Sequence, residues 1–533
     1  MKMDKPWYKF YPKSLLKEVD VPQGGLFTVL EESASNYPDA IAVMDSEREF
    51  TYAQLRLAVE TFSSALYKRG FRKGDRMAIM LPNSIEYIIS YFTILRLGGV
   101  ICQVNPMYQP MELEYILKDS DATWFISEKE QQQKLNGVGD VKDQIYIISA
   151  DQKSEDEDDL YRWLEEDNEN IPPTVIDPME DVALLQYTGG TTGRSKGVML
   201  THANLFINVH QAASFQKDYI DIPGERSLGL SPLFHIAGIV GLNSSILNGG
   251  TYIAIRRFRV DQALETIRKY RPTIFPGVPT IFLALLRHPR LKQDDLSSLK
   301  FCACGTAPLS IETFREFQSK TDAQIYETFG MSETLITHRS PVGVEIKEGS
   351  VGIPLPNTDA KIVDLATGLT EMPVGEPGEL IIKGPQVMKG YWKNEDETKN
   401  ALRDGWMYTG DIATMDEEGY FFIVGRKKDM IIAGGYNIYP TEIEEVLYRH
   451  PAISEVCIYG VPDAYRGETV KAAIVLRDGH EATREEITDW CNQYLARYKV
   501  PRLIEFKTEL PKTAVGKILR RQLIKEEKAR MDV

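Results

Sequence analysis

Cysteine is scarce and scattered: Cys102, Cys302, Cys304, Cys457 and Cys491 are the five in 533 residues. An odd, dispersed set in a long chain excludes a disulfide-stapled scaffold and fits reduced thiols. Cys302 and Cys304 stand one residue apart, which is not the C-x-x-C spacing of a zinc or redox site, so they read as small buried apolar side chains. Long apolar runs are missing too. No uncharged run of about 18 or more apolar residues, the length that crosses a bilayer, is present, and Met1 to Trp7 lacks the apolar core of a signal peptide. Nor is there a basic excess: 62 Lys+Arg against 77 Asp+Glu give a net charge of −15. That excludes a nucleic-acid partner held by bulk charge but leaves room for a local basic pocket. At 43% hydrophobic and 26% charged residues, the chain is neither disordered nor collagen-like. The expected location is the cytoplasm.

What is present is an alternation of strand and helix patterns, in a length suited to roughly three structural units. Tyr52 to Lys68 repeats apolar residues at helical spacing and stops at Gly70; Arg76 to Leu81 is a buried-strand run ended by Pro82. Ser84 to Leu97 reads as a helix leading into the strand Val100 to Val104. Strands alternating with helices predict parallel α/β sheets. The acidic run Asp151 to Asp159 reads as a solvated loop. No repeat with a period of about 20–50 residues appears. Before residue 425 lies a glycine-rich β stretch with Gly375, Gly378, Gly384 and Gly390. After it come a helix over Glu442–Arg449, strands at Val456–Tyr459 and Lys471–Leu476, and a helix from Glu485 to Tyr498. This is a compact α+β unit joined through the polar segment Gly425–Asp429, read as a hinge.

The strongest local signal is Tyr187 to Gly197, YTGGTTGRSKG, after the apolar strand Val182–Leu185. Gly189, Gly190 and Gly193 let backbone approach an anion, Thr188, Thr191 and Thr192 donate hydrogen bonds, and Lys196 adds a cation. It is a polyphosphate cradle. It is not a Walker loop, because Gly197 rather than Ser or Thr follows the lysine.

This segment resembles the YTSGTTGxPKG signature of the AMP-forming adenylating enzymes, which include acyl-CoA synthetases, amino-acid adenylation domains and luciferases. Gly189 replaces the usual Ser and Ser195 the usual Pro. The resemblance spans nearly the whole chain. The turn after Phe301–Cys304, with Gly305, Thr306 and Ala307, is similar to the family's GGAPL turn, whose backbone lies against adenine. Tyr326 to Glu333 resembles the YGxTE motif. There the resemblance assigns nucleotide contacts to Glu327, Thr328, Phe329, Gly330, Met331 and Ser332, with Phe329 stacked on adenine. It also implies that Glu333 binds Mg²⁺, which demands hard oxygen ligands, and that Thr188 adds its hydroxyl to metal or phosphate. Tyr408-Thr409-Gly410-Asp411 is similar to the TGD motif, whose aspartate accepts both ribose hydroxyls. Arg426, downstream of Ile423, matches the arginine that reaches ribose or phosphate. Lys517 matches the mobile catalytic lysine.

The implied fold is α/β: a large N-terminal domain of α/β-layered sheets plus a β-rich subdomain over 1–427, and a small mobile α+β C-terminal domain over 428–533. Its swing about Lys428 would bring Gly434, Gly435, Tyr436 and Asn437 to line a pantetheine tunnel. The implied chemistry is attack of a carboxylate on the α-phosphate of ATP, giving an acyl-adenylate and pyrophosphate, then thioester formation. Phosphoryl charge in the first transition state calls for positioned cations, here Lys517, Lys196 and Mg²⁺. CoA is the expected thiol, with a separate carrier protein as the alternative. His235, in Ser231–Gly238, resembles a pocket residue beside the carboxylate. The apolar stretches Ile236–Leu247 and Pro276–Phe282 suit an alkyl or aryl tail. Asn105–Tyr108, Glu112–Tyr115 and Gln386–Trp392 look most like bacterial fatty-acid–CoA ligases. A medium- to long-chain fatty acid is therefore expected, with an aryl acid of the benzoate or coumarate type as runner-up. Other expected features are small-molecule partners only, no nucleic acid, transient contact with a membrane surface to collect a lipid acid, and a monomer or homodimer.

Overall fold

Two sheets with helices packed between and outside them carry the first two-thirds of the chain. The structure is a computed structural model that describes every residue except 1–4, 12–17, 21–22, 152–155, 189–194, 306–310, 434–435, 464, 514–515 and 532–533. A seven-stranded sheet has parallel strands Arg76–Met80, Val100–Gln103, Trp124–Ser127, Tyr146–Ser149 and Val182–Thr188, with Lys196–Thr201 antiparallel beside the last. A nine-stranded sheet has a parallel centre of Ile41–Met44, Thr251–Ala254, Arg226–Gly229, Ile274–Gly277, Phe301–Cys304 and Gln324–Met331.

The helices Tyr52–Lys68, Ile85–Arg96 and Ile236–Leu247 share one apolar core with inner faces of both sheets, through Met77, Ile79 and Ile101 on one side and Val43 and Tyr252 on the other. Outer faces are covered by Pro110–Ser120 on the first sheet and by Val260–Tyr270 and Pro279–Leu286 on the second. Helix, sheet, helix, sheet, helix is the layered α/β architecture expected, because parallel strands must be buried on both faces. All five cysteines lie in these cores or that of the C-terminal unit. Burial raises the Cys102 thiol to about 12.

A β-rich unit follows, with Asp359–Val363, Gly378–Lys383, Trp406–Met415 and Phe421–Arg426 antiparallel around Leu380, Ile382 and Phe421. The C-terminal sheet pairs Ile453–Asp463 with Gly467–Leu476, longer than the strands expected, because the hairpin register runs on almost to the turn. The helix expected to reach Tyr498 stops at Tyr494. Leu495 turns extended into the C-terminal core, and Tyr498 stacks on Tyr436 with ring centroids 4.4 Å apart. The acidic run also departs from a plain solvated loop: Asp159 is buried and accepts the Tyr161 N–H at 2.8 Å as cap of a short helix. No helix among the described residues is long and apolar enough to cross a membrane.

One buried network ties the two large sheets together beside the cavity described below. The Asn83 amide donates to the carbonyls of Gly229 (3.0 Å) and Ser231 (2.9 Å), and its oxygen accepts the Leu233 N–H at 2.7 Å. Gln103 and Tyr87 both donate to the Leu233 carbonyl at 2.9 Å. Asn83→Ala removes three buried hydrogen bonds, each worth ~1 kcal/mol. Denaturant unfolding should show a loss of about 3 kcal/mol; a loss well under ~1 kcal/mol would mean that the 229–235 loop is held by other contacts.

Candidate active site

Strand ends from both sheets, the β-rich unit and one C-terminal loop converge on a cavity of about 850 Å³. The hairpin register sets Thr188 opposite Lys196 at its mouth. The loop between them, with Gly189, Gly190, Thr191, Thr192 and Gly193, lies outside the described residues. The Lys196 ammonium pairs with Glu397 and sits 5.0 Å from the Tyr391 ring centroid. Tyr391 donates to Glu333 Oε1 at 2.9 Å. Burial and the Glu333 carboxylate push the phenol upward, so it stays a donor.

From the second sheet come Gly305, Thr328, Gly330, Met331, Ser332 and Glu333. A Cβ on Gly305 would fall 2.7 Å from Thr328 Oγ1, so the strand tips approach closely only without a side chain there. Thr306 and Ala307 lie outside the described residues. Phe329 departs from the expectation. It is not on the cavity wall and packs against the core of the β-rich unit. It packs edge-on to His338 at 5.8 Å. Glu327 is likewise not on the cavity wall.

The β-rich unit supplies Arg426, whose Nε lies 2.7 Å from Asp411 Oδ1 across paired strands. Asp411 is buried beneath the wall: burial raises its pKa, and the cations of Arg426, Lys517 and Lys428 pull it back. Ile423 packs into the β-rich core rather than the cavity. Lys428 lines the cavity between two anchors. On one side Lys427 pairs with Glu379 at 2.9 Å; on the other Asp429 pairs with Arg520 of the C-terminal unit at 2.7 Å.

Lys517 enters from the C-terminal loop. Gly516 has φ +79°, and a Cβ there would meet Thr280 Oγ1 at 2.6 Å, so glycine lets the loop press against the helix Pro279–Leu286. Lys517 is open to the cavity yet ringed by protein. That enclosure, with the charges of Arg426, Arg520 and Lys428, lowers it to about 8, against the pull of Asp411. His235 caps the helix Ile236–Leu247: its Nδ1 accepts the Ala237 N–H at 3.3 Å, which leaves the proton of the neutral ring on Nε2. Burial, with Lys517 nearby, depresses it to about 4. Tyr436 is 54% exposed, stacked on Tyr498 away from the cavity, and Gly434 and Gly435 lie outside the described residues.

Thr188, Lys196, His235, Gly305, Thr328, Glu333, Arg426, Lys428 and Lys517 thus share one cavity, a local basic site in an acidic chain. Its cations suit a polyanion, and its strand tips suit a flat ring and a sugar. Reading by motif missed Tyr391 and Arg339. Tyr391 stands in Gly390–Trp392, and only the pairing of Tyr391 with Val198 brings it beside Lys196. Arg339 has no local signal.

The chain is similar to known proteins over nearly its whole length. The model of the AMP-binding enzymes matches residues 30–392, and that of the AMP-binding enzyme C-terminal domain matches 442–517. The long-chain-fatty-acid–CoA ligase of Bacillus subtilis (strain 168) is 43% identical over 555 residues, covering 99% of each chain. A feruloyl-CoA synthase of Amycolatopsis sp is 37% identical, over 91% of this chain and 95% of that one. Among solved structures, ATP-bound MatB from Rhodopseudomonas palustris superposes with a TM-score of 0.88 at 30% identity, over 95% of this chain and 99% of that one. The anthranilate CoA ligase AuaEII in complex with anthranoyl-AMP gives 0.89 at 28%, over 96% and 99%.

The lowered Lys517 pKa has a sign that binding can read. Raising the pH through about 8 removes a positive charge from the free site. ATP affinity should therefore weaken above that pH, and bound ATP should raise the lysine's pKa by linkage. Calorimetric titration with ATP, without acid or CoA, checks this: Lys517→Ala should lose the dependence, and an unchanged pH profile in that variant would assign the titration to another group.

Proposed function

The chain belongs to the AMP-binding enzyme family, and from that premise we propose that it is an ATP-dependent carboxylic acid–CoA ligase acting through an acyl-adenylate. The observation that carries this reading is Lys517, seated by a C-terminal loop in the cavity that holds Thr188, Glu333 and Arg426. A carboxylate is a poor acyl donor because its leaving group would be oxide. Transfer to the α-phosphate of ATP replaces it with AMP and releases pyrophosphate. The transition state gathers charge on phosphoryl oxygens, and preorganised cations in a sheltered site stabilise that charge. Lys517 serves the α-phosphate and the attacking carboxylate. Lys196 and the 189–194 loop serve the β/γ end, where phosphate would take Lys196 from Glu397. Asp411 accepts the ribose hydroxyls while paired to Arg426, since a carboxylate has several acceptor positions. Neutral His235, with a donor at Nε2, orients the acid.

Glu333 would hold Mg²⁺ together with the phosphates. Mg²⁺ is usually bound by one or two carboxylates plus substrate phosphates, and Glu333 is a carboxylate on the cavity wall. Bound there, Mg²⁺ supplies neutralisation of phosphate charge. For the second step the C-terminal domain, 428–533, turns about Lys428. The ion pairs on either side of that residue belong one to each domain, as a pivot requires. The turn withdraws Lys517 and brings the 434–437 segment to the adenylate, where the CoA thiol attacks the acyl carbon and AMP leaves. We place the reaction in the cytoplasm, with passing contact at a membrane surface.

The acid is a medium- to long-chain fatty acid. The cavity follows the helix Ile236–Leu247, lined by Ile236, Val240, Gly241 and Ser244. Twelve residues at ~1.5 Å each give a wall of about 18 Å, the scale of an extended acyl chain. An aryl acid is the second reading, favoured by the feruloyl-CoA synthase likeness.

Lys517→Ala should abolish pyrophosphate release yet spare thioester formation from a supplied acyl-adenylate; equal loss of both half-reactions would count against the assignment. Along saturated acids, each buried CH₂ is worth about 0.8 kcal/mol, so every two should raise kcat/KM roughly tenfold until the tunnel is full. An aryl acid that exceeds every fatty acid would install the second reading and leave the adenylation chemistry intact.

A further inference from the structure

The wall of the cavity carries a further buried cation, Arg339, which is only 4% exposed. It ends the strand Leu335–Arg339, directly opposite Thr328 in antiparallel register. Opposed residues of such a pair project to the same face, so Arg339 shares the cavity face with Thr328 and, two residues along, with Tyr326. Its guanidinium carbon lies 3.9 Å from the Tyr326 ring centroid, and one terminal nitrogen donates to the Ala212 carbonyl at 2.7 Å. The other two nitrogens, Nε and Nη2, are fully buried with no acceptor in hydrogen-bond geometry among the described residues, and the Tyr326 side chain is the group that steadies the charge.

Among the described residues no carboxylate pairs with this charge: burial drives its pKa down, and Tyr326 acts the other way. Other enclosed cations do have carboxylates. Arg426 has Asp411, Arg520 has Asp429 and Glu444, and Lys471 has Glu505 and Glu527. An uncompensated buried cation is costly to keep. The surroundings are polar as well: Gln216 donates to the Tyr326 hydroxyl at 2.6 Å, and Gln216 and Ser227 are buried on the same wall.

We propose that Arg339 is a specificity-determining residue that binds an acceptor oxygen on the acyl chain, foremost a second carboxylate, with a hydroxyl or oxo oxygen as the neutral form of the same chemistry. The proposal rests on the cavity being the acyl-adenylate site. The guanidinium lies over Tyr326, two residues along the strand from Thr328, which at ~3.3 Å per residue is about 7 Å. The carboxylate leads because the missing partner is a charge, and charge-assisted hydrogen bonds are the strong ones. A saturated chain fills the same space but leaves the guanidinium unpaired.

The test uses the full chain with ATP, Mg²⁺ and CoA, and reads AMP release for three chain-matched series: saturated acids, ω-carboxy acids and hydroxy acids. At one length the ω-carboxy acid should exceed its saturated counterpart in kcat/KM by roughly tenfold or more, the size of one charge-assisted hydrogen bond. Arg339→Leu should bring that ratio to about one, and Arg339→Lys, which keeps a cation, should retain part of it. An advantage confined to the hydroxy series supports the site in its neutral form. Saturated acids that lead at every length in the unmodified chain overturn the proposal, whatever the variants do. So does Arg339→Leu lowering all three series alike, since a strut between strand and helix would do that. Thermal melting with ATP alone shows whether each variant folds and binds nucleotide. Should no acid of any series release AMP, the ligase reading fails first and this site with it.

Discussion

The Asp411–Arg426 ion pair is the contact on which the reacting end of the cavity depends. Catalysis calls for positive charge where phosphate will be, yet Arg426, Lys428 and Lys517 crowded into a sheltered hollow repel one another strongly. Asp411, buried behind the wall, is the fixed anion that all three act upon. It sits on one strand of a paired antiparallel ladder and Arg426 on the next, so the geometry is set by backbone hydrogen bonds rather than by flexible side chains. The same arrangement leaves Lys517 only partly compensated, which is why its charge is both available to a phosphate and sensitive to pH.

The remaining architecture delivers groups to that point from separate layers. Parallel strands end on one side of each sheet, so their tips and the loops after them face a common crevice. Thr188 and Lys196 come from the first sheet, Thr328 to Glu333 from the second, and the 83–233 network keeps the sheets in step. The C-terminal unit adds one lysine through a glycine-dependent contact with Thr280. That unit also meets the β-rich unit where the helix Pro440–Tyr448 packs against the strand Phe421–Arg426.

The layered α/β class, the separate β-rich stretch and most helix positions were legible in the sequence because they rest on local periodicity and on Gly or Pro stops. The helix ending at Tyr494 was misjudged by four residues: no Gly or Pro follows it, and stacking of Tyr498 on Tyr436, a long-range contact, decides the break. Asp159 was hidden inside an acidic run because composition describes the average of a segment, whereas its burial depends on a helix that it caps.

By itself the sequence determined which residues could meet a phosphate and in what order they come, since the glycine, threonine and lysine spacings are short and contiguous. Only the tertiary structure decided how they are aimed. Phe329 lies off the cavity wall, packed between His338 and the core of the β-rich unit. Tyr391 reaches Glu333 through a two-residue strand whose pairing no local pattern announces. Arg339 becomes a buried cation on the cavity wall, with no carboxylate partner among the described residues, because its strand lies antiparallel to Tyr326 and Thr328. Local chemistry is written in adjacent residues, but the environment of a charge is set by whatever the sheets bring beside it.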